Sequence, residues 1–169
     1  MPAERSETSV IEHELTVAAS PETIFAYFTD PARVVQWMGA DATLDPRPGG
    51  VFRLVFKPTR ETVEFWGGTY APDATNVVLG EFVEVDPYTR IVFTWGFEEE
   101  FFDMPPQASA VEVSLTPEGE TTLVRLAHRR LPAEARAFHT AGWEHYLPRM
   151  AVLAAGGDPG PDPWEAGES

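Results

Sequence analysis

Hydrophobic and polar residues alternate from Ser9 to Val17. Ile11, His13, Leu15 and Val17 share one face, while Glu12, Glu14 and Thr16 share the other, the pattern of a half-buried strand. "SPETIFAYF" follows. Ser20 is an N-cap, Pro21 suits the first helical position, and Ile24, Phe25 and Phe28 supply an apolar face. "DPARVVQWM" repeats the start signal with Asp30 and Pro31, so two short helices in series are expected. "PRPGG" at 46–50 breaks the pattern, and β periodicity then continues almost to residue 130. "GVFRLVF" groups Phe52, Leu54 and Phe56. "NVVLGEFVEV" and "RIVFTWGF" flank a turn at Asp86–Thr89, and "SAVEVSLT" and "TTLVRLAH" flank another at Pro117–Glu120. Val111, Val113 and Leu115 point one way on the first of the latter pair; Thr122, Val124, Leu126 and His128 share a face on the second. Strands joined by short turns make an antiparallel meander.

A long helix is expected from near Pro132 to just before Gly156. At 3.6 residues per turn, Phe138, His139, Gly142, Trp143, Tyr146, Leu147, Met150 and Leu153 form one arc; Thr140, Glu144 and Pro148 lie opposite. Pro148 therefore faces solvent, where water can satisfy the carbonyl it frees, and a bend that lets the helix hug a curved sheet is expected. Such a sheet, apolar on one face, needs a cover, and this helix is the one element long enough to supply it. The order predicts an α+β fold: a curved antiparallel sheet of about six or seven strands around a long C-terminal helix, with two short helices after the first strand. Residues 1–8 read as a flexible N-terminus, 9–157 as a single domain, and 158–169, rich in Pro, Gly and acid, as an irregular tail that Trp164 could pin to the body. Lys57–Thr75 reads as an extra strand, a lid or an interface. Phe65, Trp66, Phe101 and Phe102, in irregular segments, either close a cavity mouth or pack against a second subunit, which would make a homodimer.

Composition narrows the partners. A chain of 169 residues suits one domain. A net charge of −15 repels phosphate backbones and anionic lipid, so neither nucleic acid nor membrane insertion is expected. There are no cysteines, which removes disulfides and thiolate chemistry. The polar N-terminus lacks a signal-peptide core, and the cytoplasm is the expected location.

The order of elements, with "VAASPETIFAYFTDPARVVQWMG", "RPGGVFRLVF", "GEFVEVDPYTRIVFTWGFE", "VEVSLTPEGETTLVRLAHRRLP" and "HTAGWEHYLPRM", resembles the START-like, or SRPBCC, superfamily with its helix-grip fold. Within it the chain looks like the branch related to activators of the heat-shock-protein-90 ATPase. The resemblance implies a sheet wrapped around the C-terminal helix, often with an apolar cavity between them. It also implies binding of lipids, sterols or polyketides, cyclase or aromatase activity in some members, and chaperone partnership in others. The co-chaperone members usually carry an additional N-terminal domain, for which this chain has no room.

If the layout holds, the first and last strands are neighbours and His13, His128 and His139 all face inward, while His145 lies at the arc's edge and is expected to be exposed. Three roles compete for the inward imidazoles: hydrogen bonding within a packed core, orientation of a hydrophobic ligand, and metal binding or acid–base catalysis, for which the spacing carries no compact signature. The expected ligand is a hydrophobic or aromatic small molecule, with no cofactor and no metal. Candidate ligand-binding residues are His13, Phe28, Trp37, Phe52, Phe56, Trp66, Trp95, Phe97, His128, His139, Trp143, Tyr146 and Met150. If the protein is an enzyme, of cyclase or hydrolytic type, His139 is the best catalytic candidate. The Gly49-Gly50 and Gly67-Gly68 pairs do not open a phosphate-binding helix, and no Gly-x-Ser-x-Gly turn occurs.

Overall fold

A computed structural model describes residues 8–65, 75–98 and 104–165. Strand β1 (Thr8–Val17) leads into α1 (Pro21–Thr29) and the single turn α2 (Pro31–Val34). The caps are those the sequence announces. The Ser20 side chain accepts from the Thr23 N–H at 3.2 Å and Asp30 from the Ala32 N–H at 3.0 Å, satisfying donors that a helix start leaves open. Strands β2 (Asp41–Leu44) and β3 (Val51–Phe56) follow, then α3 (Arg60–Phe65). The meander continues with β4 (Asn76–Asp86), β5 (Arg90–Trp95), β6 (Ser109–Glu118) and β7 (Thr121–Pro132). A 3₁₀ turn, Ala133–Ala135, connects to α4 (Arg136–Ala154).

The seven strands form one sheet in the order β1-β7-β6-β5-β4-β3-β2, with every neighbouring pair antiparallel. The expected strand phases hold. Val111, Val113, Val124 and Leu126 are buried, while the outer face carries ion pairs such as Arg125–Glu14 at 2.6 Å. The core lies between the inner face and the helices, and α4 packs against β1 and α1.

Four details differ from the sequence reading. Strand β2 lies within a stretch without an obvious period; at four residues on the sheet's edge it is too short to print one. The described part of the stretch from Lys57, residues 57–65, contains the short helix α3 and no added strand, while residues 66–74, with Trp66, lie outside the described residues. Pro132 closes β7, and α4 begins only at Arg136. His145 is not exposed; a folded-back tail half-buries it. Pro148, by contrast, lies on the solvent side as expected, and α4 continues through it.

Gly80 sets how closely β4 and β5 approach. A Cβ built there would stand 2.0 Å from the Thr94 carbonyl oxygen, a backbone atom that cannot swing aside. Beside it the Glu81 N–H donates to the Thr94 hydroxyl at 2.8 Å, a side chain replacing a backbone rung. Gly80→Ala should therefore cost about 1–3 kcal/mol, the usual range for forced overpacking, measured as a lowered urea midpoint with an unchanged slope.

Candidate functional site

Two histidines and two tryptophans join α4 to the middle of the sheet. Trp95 ends β5, Ser109 begins β6 opposite it, and His128 lies on β7 opposite Val111. His139 and Trp143 lie one turn apart on α4. The Trp143 indole N–H donates to His128 Nδ1 at 3.0 Å. On the other side of that ring, His128 Nε2 meets Ser109 Oγ at 2.8 Å, and the Ser109 hydroxyl donates to the Trp95 carbonyl at 2.7 Å. The Trp95 indole N–H in turn donates to His139 Nε2 at 3.2 Å, and His139 Nδ1 meets the Ala135 carbonyl at 2.9 Å.

These bonds fix both tautomers. An indole nitrogen only donates and a carbonyl only accepts. His139 must carry its proton on Nδ1 and His128 on Nε2, so each ring is neutral with its lone pair used. Burial supplies the same preference. It pushes His128 well below its ordinary value, and the nearby His139 adds to the effect. It pulls His139 down to about 4, against the opposing bond to Ala135. The rings lie 5.1 Å apart, centroid to centroid, and nearly perpendicular.

Beside this network the sheet and α4 leave a crevice of about 50 Å³. Trp95, Phe97 and Val78 line it from the sheet, Phe56 and Met38 from one side, and Phe138, His139, Gly142, Trp143 and Tyr146 from α4; Asn76 and Trp164 complete it. Gly142 faces open space: a Cβ there would meet nothing within 4 Å beyond the helix's own backbone.

The C-terminal tail covers this region. The Trp164 ring stacks on His145 at 3.9 Å with 6° between planes and meets Tyr146 edge-on at 5.8 Å. His145 Nε2 lies 2.8 Å from Asp162 Oδ1, and Arg149 donates to the Gly160 carbonyl at 2.9 Å. Burial works against the Asp162 carboxylate, but the His145 hydrogen bond, the Trp164 N–H and the charge of Arg149 together hold its pKa below the ordinary value. Glu165 accepts the Lys57 backbone N–H at 2.9 Å, and burial pushes its carboxyl up to about 7 despite that bond.

The expected site residues divide. Phe56, Trp95, Phe97, His139, Trp143 and Tyr146 meet at the crevice, with His128 directly behind it. Phe28, Trp37, Phe52 and Met150 are buried and do not line it. Trp37 donates to the Tyr27 carbonyl at 2.9 Å and meets Phe28 edge-on, while Phe52 stacks on Phe93 at 4.0 Å. His13 has the inward phase on β1, but lines a separate depression with Glu12, Glu14 and Arg125; its buried Nε2 has no hydrogen-bond partner among the described residues. Periodicity does not single out Ser109, Met38, Asn76 or Val78. Ser109 shares the inward phase of Val111 and Val113, which marks it as a buried hydroxyl in need of a partner.

A curved antiparallel sheet closed by a C-terminal helix, with aromatic side chains meeting between them, is the helix-grip arrangement. The chain belongs to the family described as Activator of Hsp90 ATPase homolog 1-like protein, whose model matches residues 18–155. An AHSA1-like protein from Rhizobium etli, solved in solution, is 38% identical, with a TM-score of 0.65 over 96% of this chain and 92% of that one. A protein from the dynemicin biosynthetic locus shares the fold at 23% identity and a TM-score of 0.70, covering 92% of this chain and 51% of its own. An HSP90 activator from Plasmodium falciparum does so at 24% identity and 0.63, over 85% and 94%. An uncharacterized protein from Schizosaccharomyces pombe is 33% identical over 88 residues, which span 52% of this chain and 20% of that protein. Among the described residues no helix is long and apolar enough to cross a membrane.

The neutral histidines make stability depend on acid. The unfolded chain takes up protons at imidazole below about 6.5, whereas folded His139 does so only near 4, so the unfolded state binds more protons in between and stability falls as pH falls. Its share is fully present above pH 6.5 and is lost by pH 4, a change of about 3 kcal/mol for His139 alone. Urea denaturation at pH 7, 5.5 and 4.5 checks this, and His139→Leu should make the profile shallower across that window, with His128 carrying what remains.

Proposed function

We propose that this domain binds a hydrophobic, aromatic small molecule in the crevice between the sheet and α4. Gly142 is the observation that carries this reading. A glycine inside a helix costs about 1 kcal/mol relative to alanine, and nothing in the surrounding structure would obstruct the alanine methyl. A core selected for packing alone has reason to fill that position. Here the gap is kept, and it is walled by Trp95, Trp143, Tyr146 and Phe138.

Size sets a condition. About 50 Å³ holds a few waters, whereas ligand pockets commonly run to about 300–1,000 Å³. Binding therefore requires the crevice to widen, with the tail over its mouth as the part that yields. Inside, apolar burial would supply affinity at roughly 25 cal/mol per Å² before the costs of association. His139 would contribute a ring edge rather than a free base, since its lone pair is taken by Trp95. The family description supports a second reading, stimulation of the Hsp90 ATPase. A flat ATPase rate across a titration of Hsp90 with this protein would dispose of it.

Titration with 2-naphthol, followed by tryptophan fluorescence and calorimetry, tests the ligand reading. Wild-type protein should bind it, and Gly142→Leu, whose side chain fills the gap, should bind at least ten-fold more weakly while remaining folded. Equal binding by the two would refute the crevice as the site. Gly142→Ala should raise the unfolding free energy by about 0.5–1 kcal/mol.

A further inference from the structure

The tail over the crevice mouth is held by several specific contacts. Asp162 meets His145, and Gly160 is bonded by Arg149. The Thr59 N–H donates to the Trp164 carbonyl at 3.1 Å, and the Lys57 N–H donates to Glu165 at 2.9 Å. These contacts seat one flat ring, Trp164, on His145 and Tyr146 at the edge of a gap the ring does not fill. Next to it they seat one acceptor, the Glu165 side chain, on a backbone donor.

We propose that the seat of Trp164 and Glu165 is a binding site for a flat aromatic molecule bearing an uncharged hydrogen-bond acceptor, and that the C-terminal segment Asp158–Glu165 is its built-in competitor. This rests on the crevice being a ligand site. The occupant defines the ligand. A flat ring is what lies parallel to the imidazole of His145. An acceptor a short link away is what the Lys57 N–H requires. Beyond the ring lies the gap beside Gly142, which Trp164 borders and a longer molecule would enter.

The acceptor's charge follows from its surroundings. The seat is half-buried, which penalises a charged acceptor and not a neutral one; burial pushes the Glu165 carboxyl up to about 7, against the Lys57 N–H and the Lys57 charge. The chain's net charge of −15 adds repulsion at long range. An amide or ketone oxygen meets the same N–H without that penalty. The apparent affinity of any such ligand is reduced by the fraction of molecules whose tail is in place. Loosening the tail must therefore tighten binding, even when no wall of the site changes.

Two variants of the full chain separate this from simple hole-filling. Trp164→Ala removes the competing ring but also makes a hole. Asp162→Ala cuts a tether, the bonds to His145 and to the Trp164 N–H, and removes neither the ring nor a side chain of the seat. Calorimetric titration with indole-3-propionamide should give at least ten-fold tighter binding to Trp164→Ala than to wild type, and several-fold tighter binding to Asp162→Ala. Indole-3-propionate should bind each variant more weakly than the amide. Tightening by Trp164→Ala alone would mean that the probe fills a hole, and would overturn the competitor. Equal affinity across the three proteins would overturn it too, as would binding of 2-naphthol without the amide; both leave the crevice reading standing. Failure of every variant to bind either compound would remove both readings.

Discussion

The bond from the Trp95 indole to His139 decides how α4 lies on the sheet. With its counterpart from Trp143 to His128, it forms a crossed pair in which each element supplies one donor and one acceptor. Hydrophobic contact alone would let the helix slide or roll over a face of valines and leucines. Two indole N–H groups, buried and able only to donate, do not tolerate that freedom. A slip of one turn would strand both donors and both imidazole lone pairs, at about 1–3 kcal/mol for each unsatisfied group. The relay through Ser109 extends the constraint to the β5–β6 register, since its hydroxyl spans His128 and the Trp95 carbonyl. Position, roll and register are thus tied by one network, which is also why the crevice keeps its shape beside Gly142.

The tail depends on that placement. His145 and Arg149 lie one turn apart on α4 and reach the segment after Gly157. With the helix fixed, they present an imidazole and a guanidinium at a defined distance from the β3–α3 connection, where Lys57 and Thr59 offer backbone donors. A segment rich in proline, glycine and acid has little core-forming capacity of its own. It is ordered because these groups satisfy its carbonyls and carboxylates one at a time. The outcome is a cover held by polar contacts at its edges and by a single ring at its centre, packed against the rim of the core.

The sequence made the strand phases, both helix starts and the inward face of α4 legible, because each rests on a short repeating pattern or a local cap. His128 and His139 were legible as inward-facing for the same reason. What joins them was not. The acceptor for Trp95 lies 44 residues away and that for Trp143 lies 15 residues away, and no periodicity encodes which polar atoms meet across a core. His13 illustrates the limit. Its phase is right, but its register partner is Leu126, whereas His128 faces Ile11. Two residues along a strand is about 7 Å, enough to leave it outside the network. A helical wheel places His145 toward solvent, because it cannot foresee a tail returning from beyond the helix. Trp164 stands in a segment with no period at all, so its partners follow only from the three-dimensional arrangement.

The same network bears on whether such a site would catalyse or bind. A general base needs a free lone pair near the reacting proton and a pKa near the working pH. His139 has its lone pair occupied by Trp95 and a pKa drawn down to about 4 by burial. Freeing it would leave a buried indole N–H without an acceptor, unless the substrate itself supplied one. His128 lies deeper and is engaged at both nitrogens. Imidazoles arranged in this way act as rigid acceptors that hold aromatic walls in place. Among the described residues, then, the two imidazoles are placed to hold the walls of the crevice and not to move a proton.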